Sequence, residues 1–183
     1  PPYTSKKIAF ISAFWPEFKS TASGVRAWAM LRTLLNDGYQ IAYFCTADEN
    51  ETTIQLRENG VTAKNVQPNA AEFDQLILDF GPSFIFFAQF FIEEQFSWRV
   101  RAQLPNSIRI LDTQDLHFVR RARERALKNK VPLSELCAQS MQLKHPEHRD
   151  FFDHEDTLRE LAAIYRSDHT VVVSDFEKKL LTD

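Results

Sequence analysis

A chain of 183 residues with 44% hydrophobic and 26% charged positions has the make-up of one ordinary globular domain, long enough to bury a core and too balanced for a disordered or fibrous protein. A formal net charge of −3 provides no global positive field to draw in nucleic acid, so no nucleic-acid partner is expected. No stretch approaches the roughly 18 uninterrupted apolar residues that a membrane span needs, and the two cysteines, Cys45 and Cys137, lack metal or redox spacing and read as buried free thiols in a reducing compartment.

The polar start, residues 1–7, lacks the apolar segment of a signal peptide, so a cytoplasmic location is expected, with peripheral contact to a membrane left open. Residues 7–14 (KIAFISAF) form a continuous apolar run, the pattern of a strand buried on both faces of a parallel sheet. A polar loop over 17–23 leads to Gly24, after which Val25, Trp28, Leu31 and Leu35 recur at helical spacing until Asn36, Asp37 and Gly38 close the helix with a left-handed glycine cap. Residues 39–45 predict a second strand, 51–59 a helix stopped by Gly60, 64–67 a short third strand and 70–80 a helix ended by Gly81 and Pro82.

The most hydrophobic strand is predicted over 83–91 (SFIFFAQFF), followed by a helix over 93–104 and a turn over 105–107. The next run, Ile108 to Asp112, ends in Thr113, Gln114, Asp115, Leu116 and His117, and an arginine-rich helical pattern begins at once: strand, functional loop, helix. From 116 to about 166 the pattern is helical and charged, interrupted near Pro132 and Pro146, which predicts two or three helical segments. Residues 169–173 (HTVVV) predict a last buried strand, and Ser174 followed three positions later by Glu177 matches a capping box.

Strands alternating with helices of about ten residues are the signature of right-handed βαβ units. The expected fold is α/β, a doubly wound, Rossmann-like parallel sheet with helices on both faces. Ligands bind such sheets at the carboxyl ends of the strands, which focuses attention on Trp15, Gln114, Asp115, His117 and Ser174, and on Phe90 and Phe91 as pocket lining. Asp115 and His117 put a carboxylate and an imidazole at a helix start, suited to proton transfer or hydrogen bonding, or alternatively a cap and a satisfied surface residue. Ser23, Gly24, Val25 and Arg26 offer backbone N–H groups and a guanidinium, a workable diphosphate cradle, with close packing as the other reason for Gly24.

Neither G-x-G-x-x-G nor a P-loop is present, which disfavours nicotinamide dehydrogenases and P-loop NTPases. Arg120, Arg121, Arg123, Arg125, Lys128 and Lys130 make a basic cluster, either a solvated helix face or a surface for an anionic ligand or membrane. His145, His148 and His154 with Glu147, Asp150, Asp153 and Glu155 follow no ligand motif and read as polar helix surface, so no metal site is expected.

Together, the first strand ending in Phe14, Trp15 and Pro16, the Ser23 to Arg26 turn, the Asp37 to Ile41 segment, the Leu111 to Arg120 segment and the Ser167 to Glu177 segment resemble the N-terminal domain of a GT-B glycosyltransferase of the large retaining group 1 (family 4-like) class. The resemblance implies sugar transfer from a nucleotide-sugar to an unknown acceptor with retention of configuration, without metal or further cofactor. It implies catalytic roles at Asp115 and His117, and substrate or donor-phosphate contacts from Trp15, Ser23, Gly24, Arg26, Gln114, Arg120, Ser174 and Glu177. Two departures stand out: Ser23-Gly24 replaces a common Gly-Gly pair, and Gln114 stands where many relatives carry the active-site histidine. The resemblance also implies a second, C-terminal nucleotide-sugar-binding domain, in cis or in trans, without which residues 1–183 are expected to be inactive. A stand-alone domain recognising a glycan, lipid head group or protein is the alternative.

Overall fold

The structure is a computed structural model, and it describes residues 5–17, 19–130 and 154–182. The elements follow in the order β1 (Lys7–Ser12), α1 (Ala22–Asn36), β2 (Gln40–Cys45), α2 (Glu51–Glu58), β3 (Thr62–Asn65), α3 (Glu72–Phe80), β4 (Phe84–Ala88), α4 (Phe90–Gln103), β5 (Ile108–Asp112), α5 (His117–Lys128), α6 (Glu155–Arg166), β6 (His169–Val171) and α7 (Asp175–Thr182). The strands form one six-stranded sheet in the order β3-β2-β1-β4-β5-β6, every pairing parallel. This is the doubly wound, Rossmann-like fold expected from the β-α alternation.

The apolar runs have a direct cause in the layering. In β1, Ala9 and Ile11 point into a core built with Phe73 and Ile77 of α3 and Phe96 and Val100 of α4, while Ile8 and Phe10 point into a second core with Leu31 of α1 and Leu56 of α2. A strand covered on both faces has no solvent side to mark with polar residues. Cys45 is buried in the second core, and burial pushes its thiol up to about 11, which leaves it an inert packing group.

Three boundaries differ from expectation. β4 ends at Ala88 because Gln89 adopts φ 76°, which breaks the extended run, and Phe90 and Phe91 begin α4 instead of extending the strand. β3 begins at Thr62, earlier than the predicted 64. β6 is three residues long and only half-buried, because it is the sheet edge beyond β5. The predicted interruptions at Pro132 and Pro146, Cys137, and the histidine and acidic positions 145–153 lie outside the described residues, as do residues 1–4.

The arginines of α5 are largely stitched to their neighbours. Arg121 pairs with Asp156, Arg120 lies 3.0 Å from Asp115, and Arg123 sits over the Phe176 ring at 5.5 Å. His154 precedes α6 and accepts from the Asp156 N–H through Nδ1. Among the described residues no group of three His, Cys, Asp or Glu is placed to hold a metal ion, and no helix is long and apolar enough to cross a membrane.

Candidate functional site

The chain winds from β1 outward through β2 and β3, then returns to the other side of β1 as β4. Successive connections leave β1 and β4 in opposite directions, so a crevice opens at their carboxyl ends. An open cleft of about 620 Å³ occupies this place. Its floor is Ser12 and Tyr43, whose hydroxyls fix the loop after β1: Ser12 Oγ accepts the Phe14 N–H at 3.2 Å and Tyr43 donates to the Phe14 carbonyl at 3.1 Å. Burial pushes the Tyr43 phenol strongly upward, so it remains a neutral donor. Trp15 forms a buried wall with its indole N–H donated to the Asp48 carbonyl at 2.7 Å, whereas the Phe14 ring on the same lining is 68% exposed.

Ser23 and Gly24 line the cleft from α1. The helix starts at Ala22 with Thr21 as its cap, earlier than the sequence pattern suggests, so Gly24 lies inside the first turn instead of at the helix start. Its N–H donates to Thr21 Oγ1 at 3.1 Å and that of Val25 to the Thr21 carbonyl at 2.9 Å. A Cβ on Gly24 would stand 2.2 Å from the Glu17 carbonyl oxygen, so close packing of the preceding loop accounts for this glycine. Arg26 does not line the cleft: its guanidinium forms an ion pair with Asp112 at 2.6 Å, tying α1 to the end of β5. Among the described residues the lining contains Glu17 but no Lys, Arg or His.

Asp112, which sequence reasoning passed over for Asp115, is the hub of this region. Its carboxylate accepts from Arg26 and, at 3.3 Å, from the Gln114 N–H, and its carbonyl accepts the Gln89 N–H at 2.8 Å. The two residues it holds are left-handed: Gln89 at φ 76° and ψ 152°, a region almost restricted to glycine, and Gln114 at φ 61°. Both line the cleft. Strain of about 1–3 kcal/mol at such a position exceeds the entropic cost of a glycine, about 0.5–1 kcal/mol. Gln89→Gly is therefore expected to stabilise the fold by about 1 kcal/mol in denaturant titration; destabilisation would show that the side chain is a packing element.

Asp115 and His117 lie on the other side of the β5 loop. Leu116, not Asp115, takes the cap position of α5, and no side chain of the loop caps the helix. Buried carboxylates from two later helices supply the acceptors instead. Glu177 of α7 accepts the Leu116 N–H at 3.1 Å, and Glu160 of α6 accepts those of His117 and Phe118 at 3.0 and 2.7 Å. Ser174 Oγ accepts the Glu177 N–H at 3.2 Å as the capping-box pattern predicts, but the second Glu177 oxygen accepts from Val173 rather than from Ser174.

The His117 ring is buried against Phe90 and Phe91, with centroids at 5.5 and 6.2 Å. Its Nε2 lies 3.2 Å from Asp115 Oδ1, yet makes no well-directed hydrogen bond among the described residues. This contact, with Arg120 beside it, holds the Asp115 carboxyl below the usual carboxylate range; burial pushes Glu160 the other way despite its two N–H bonds. A hollow of about 540 Å³ between α5 and α7 is lined by Asp115, Arg120, Ser174 and Glu177.

The expected site residues thus fall into two groups. Trp15, Ser23, Gly24 and Gln114 share the switch-point cleft; Asp115, Arg120, Ser174 and Glu177 share the neighbouring hollow; Arg26 and His117 line neither. Glu160 escaped sequence reasoning because its partners are 42 and 43 positions away. Its signal was a carboxylate on the buried stripe with Thr157 and Ala163 in α6. Compared with known protein families and with curated proteins, the sequence finds no match.

Proposed function

We propose that this chain is the acceptor-side domain of a retaining GT-B glycosyltransferase, with a nucleotide-sugar as donor and a second, nucleotide-binding domain in cis or in trans completing the active site. The observation that carries this reading is the juxtaposition, at one sheet edge, of a polar and aromatic cleft that is cation-free among the described residues with the Asp115–His117 pair. A cleft without a guanidinium or ammonium group suits an acceptor better than a diphosphate, which calls for cationic partners. Asp115, with its side chain 34% exposed, is the group of the pair that can reach a sugar hydroxyl; His117 beneath it is a positioning residue.

The natural protein containing these residues, assayed for nucleoside diphosphate release from a panel of UDP-, GDP- and ADP-sugars, is expected to turn over at least one donor, and the 183-residue chain none. Asp115→Asn lowers that rate about 100-fold, the ordinary size of a positioned proton-transfer group. Because His117 depresses the Asp115 carboxyl, His117→Ala moves the acid limb of the pH–rate profile to higher pH. An unmoved limb contradicts the positioning role, and transfer by the isolated chain contradicts the need for a second domain.

One observation favours a second reading, a stand-alone binding domain: Arg26, the cation at the expected diphosphate cradle, is committed to Asp112. No nucleotide release from any donor by the natural protein would select it.

A further inference from the structure

We infer that the switch-point cleft takes a neutral, hydroxyl-rich ligand, a pyranose-type saccharide, and that the side-chain amides of Gln89 and Gln114 select it. This rests on the acceptor-domain reading and names the class of acceptor it takes. Among the described residues the non-glycine positions with positive φ are Gln89, Gln114 and Lys130, and two of them face one cleft. Both backbones are held in place by Asp112, while neither side-chain amide has a hydrogen-bond partner among the described residues. Strained backbone that aims two uncommitted amides into a cavity is the pattern of a ligand clamp.

The chemistry of the lining narrows the ligand. An amide presents an acceptor oxygen and a two-donor nitrogen, matching pairs of sugar hydroxyls, which both donate and accept. Ser12 and Thr21 add hydroxyls to the same lining. Phe14, exposed at the cleft, offers an apolar ring for the C–H face of a pyranose. Among the described residues Glu17 supplies the lining's formal charge and repels anions, while Arg26 is neutralised by Asp112 outside the cleft.

The test is calorimetric titration of the purified chain with methyl α-glucoside, methyl α-mannoside, methyl α-galactoside, glucuronate and UDP. At least one neutral glycoside is expected to bind. Gln89→Gly and Gln114→Gly, which keep the left-handed backbone, each weaken it about tenfold, one hydrogen-bonded group's worth of affinity, without lowering Tm. A residue that only held the loop would lose affinity and Tm together, and unchanged affinity in both variants overturns the assignment. Binding of glucuronate but no neutral glycoside overturns the neutral class and leaves the acceptor-domain reading standing; binding of UDP alone overturns both; no binding by any probe overturns the inference.

Discussion

Replacing Glu160 by alanine is expected to remove about 3 kcal/mol of stability, a substantial share of the 5–15 kcal/mol typical of a domain. The carboxylate is 1% exposed and is the acceptor for the His117 and Phe118 N–H groups. Each buried donor left without a partner costs about 1–3 kcal/mol, and the truncation also opens a void. Glu160→Gln keeps the shape but offers one acceptor oxygen where two N–H groups need one each. It should cost about 1–2 kcal/mol and lie between the other two proteins.

The pH dependence separates charge from shape. Burial raises the Glu160 pKa above its usual value, so the native state binds the proton more tightly than the unfolded chain. The stability contributed by this group is therefore full below the usual carboxylate range and is lost as pH rises through the raised value. The penalty of Glu160→Gln should accordingly be largest at acid pH and shrink with rising pH. Asp115 runs oppositely: its depressed pKa gives a contribution present above the usual range and lost as pH falls. Denaturant titrations across pH, with amide exchange at His117 and Phe118, measure both effects. Exchange at those amides unchanged in Glu160→Ala would contradict the acceptor role of Glu160.

Gly24→Ala is the second large effect, and two physical terms compete in it. Alanine is the better helix former by about 1 kcal/mol, and Gly24 is inside α1. Against this, the new Cβ would lie 2.2 Å from the Glu17 carbonyl oxygen where ordinary contact begins near 3.4 Å, and the obstacle is backbone. Relief requires the loop that carries Glu17, Ser20 and Thr21 to move, at the upper end of the 1–3 kcal/mol that overpacking costs, about 3 kcal/mol. The net expectation is a loss of about 2 kcal/mol, together with weakened saccharide binding, since that loop lines the cleft. A stabilised Gly24→Ala protein in thermal or denaturant melts would show that the loop yields freely.

Much of the fold was legible in the sequence because parallel strands covered on both faces leave uninterrupted apolar runs, as in residues 7–12 and 40–45. The left-handed turns at Gly38, Gly60 and Gly81 were legible for a local reason, the freedom of glycine at positive φ. The start of α4 was not, because Phe90 and Phe91 continue an apolar run while the break is made by a glutamine backbone, which no side-chain pattern announces. The candidate site was legible as a sheet edge but not as a wiring diagram. The Arg26–Asp112 pair spans 86 positions and the Leu116–Glu177 bond 61, and periodicity carries no information over such distances. A cap at Asp115, the alternative to a functional role, rested on local grounds, whereas the acceptors at α5 arrive from α6 and α7.

On the proposed function, this domain holds the acceptor and leaves the donor nucleotide to a second domain. Amide chemical-shift mapping of the labelled chain with UDP and with the neutral methyl glycosides tests it most directly. The predicted result is glycoside-induced shifts at Ser23, Gly24, Gln89 and Gln114, with those amides unmoved by UDP. UDP-induced shifts from Ser23 to Arg26, with no response to any glycoside, would contradict it and make this the nucleotide-binding side.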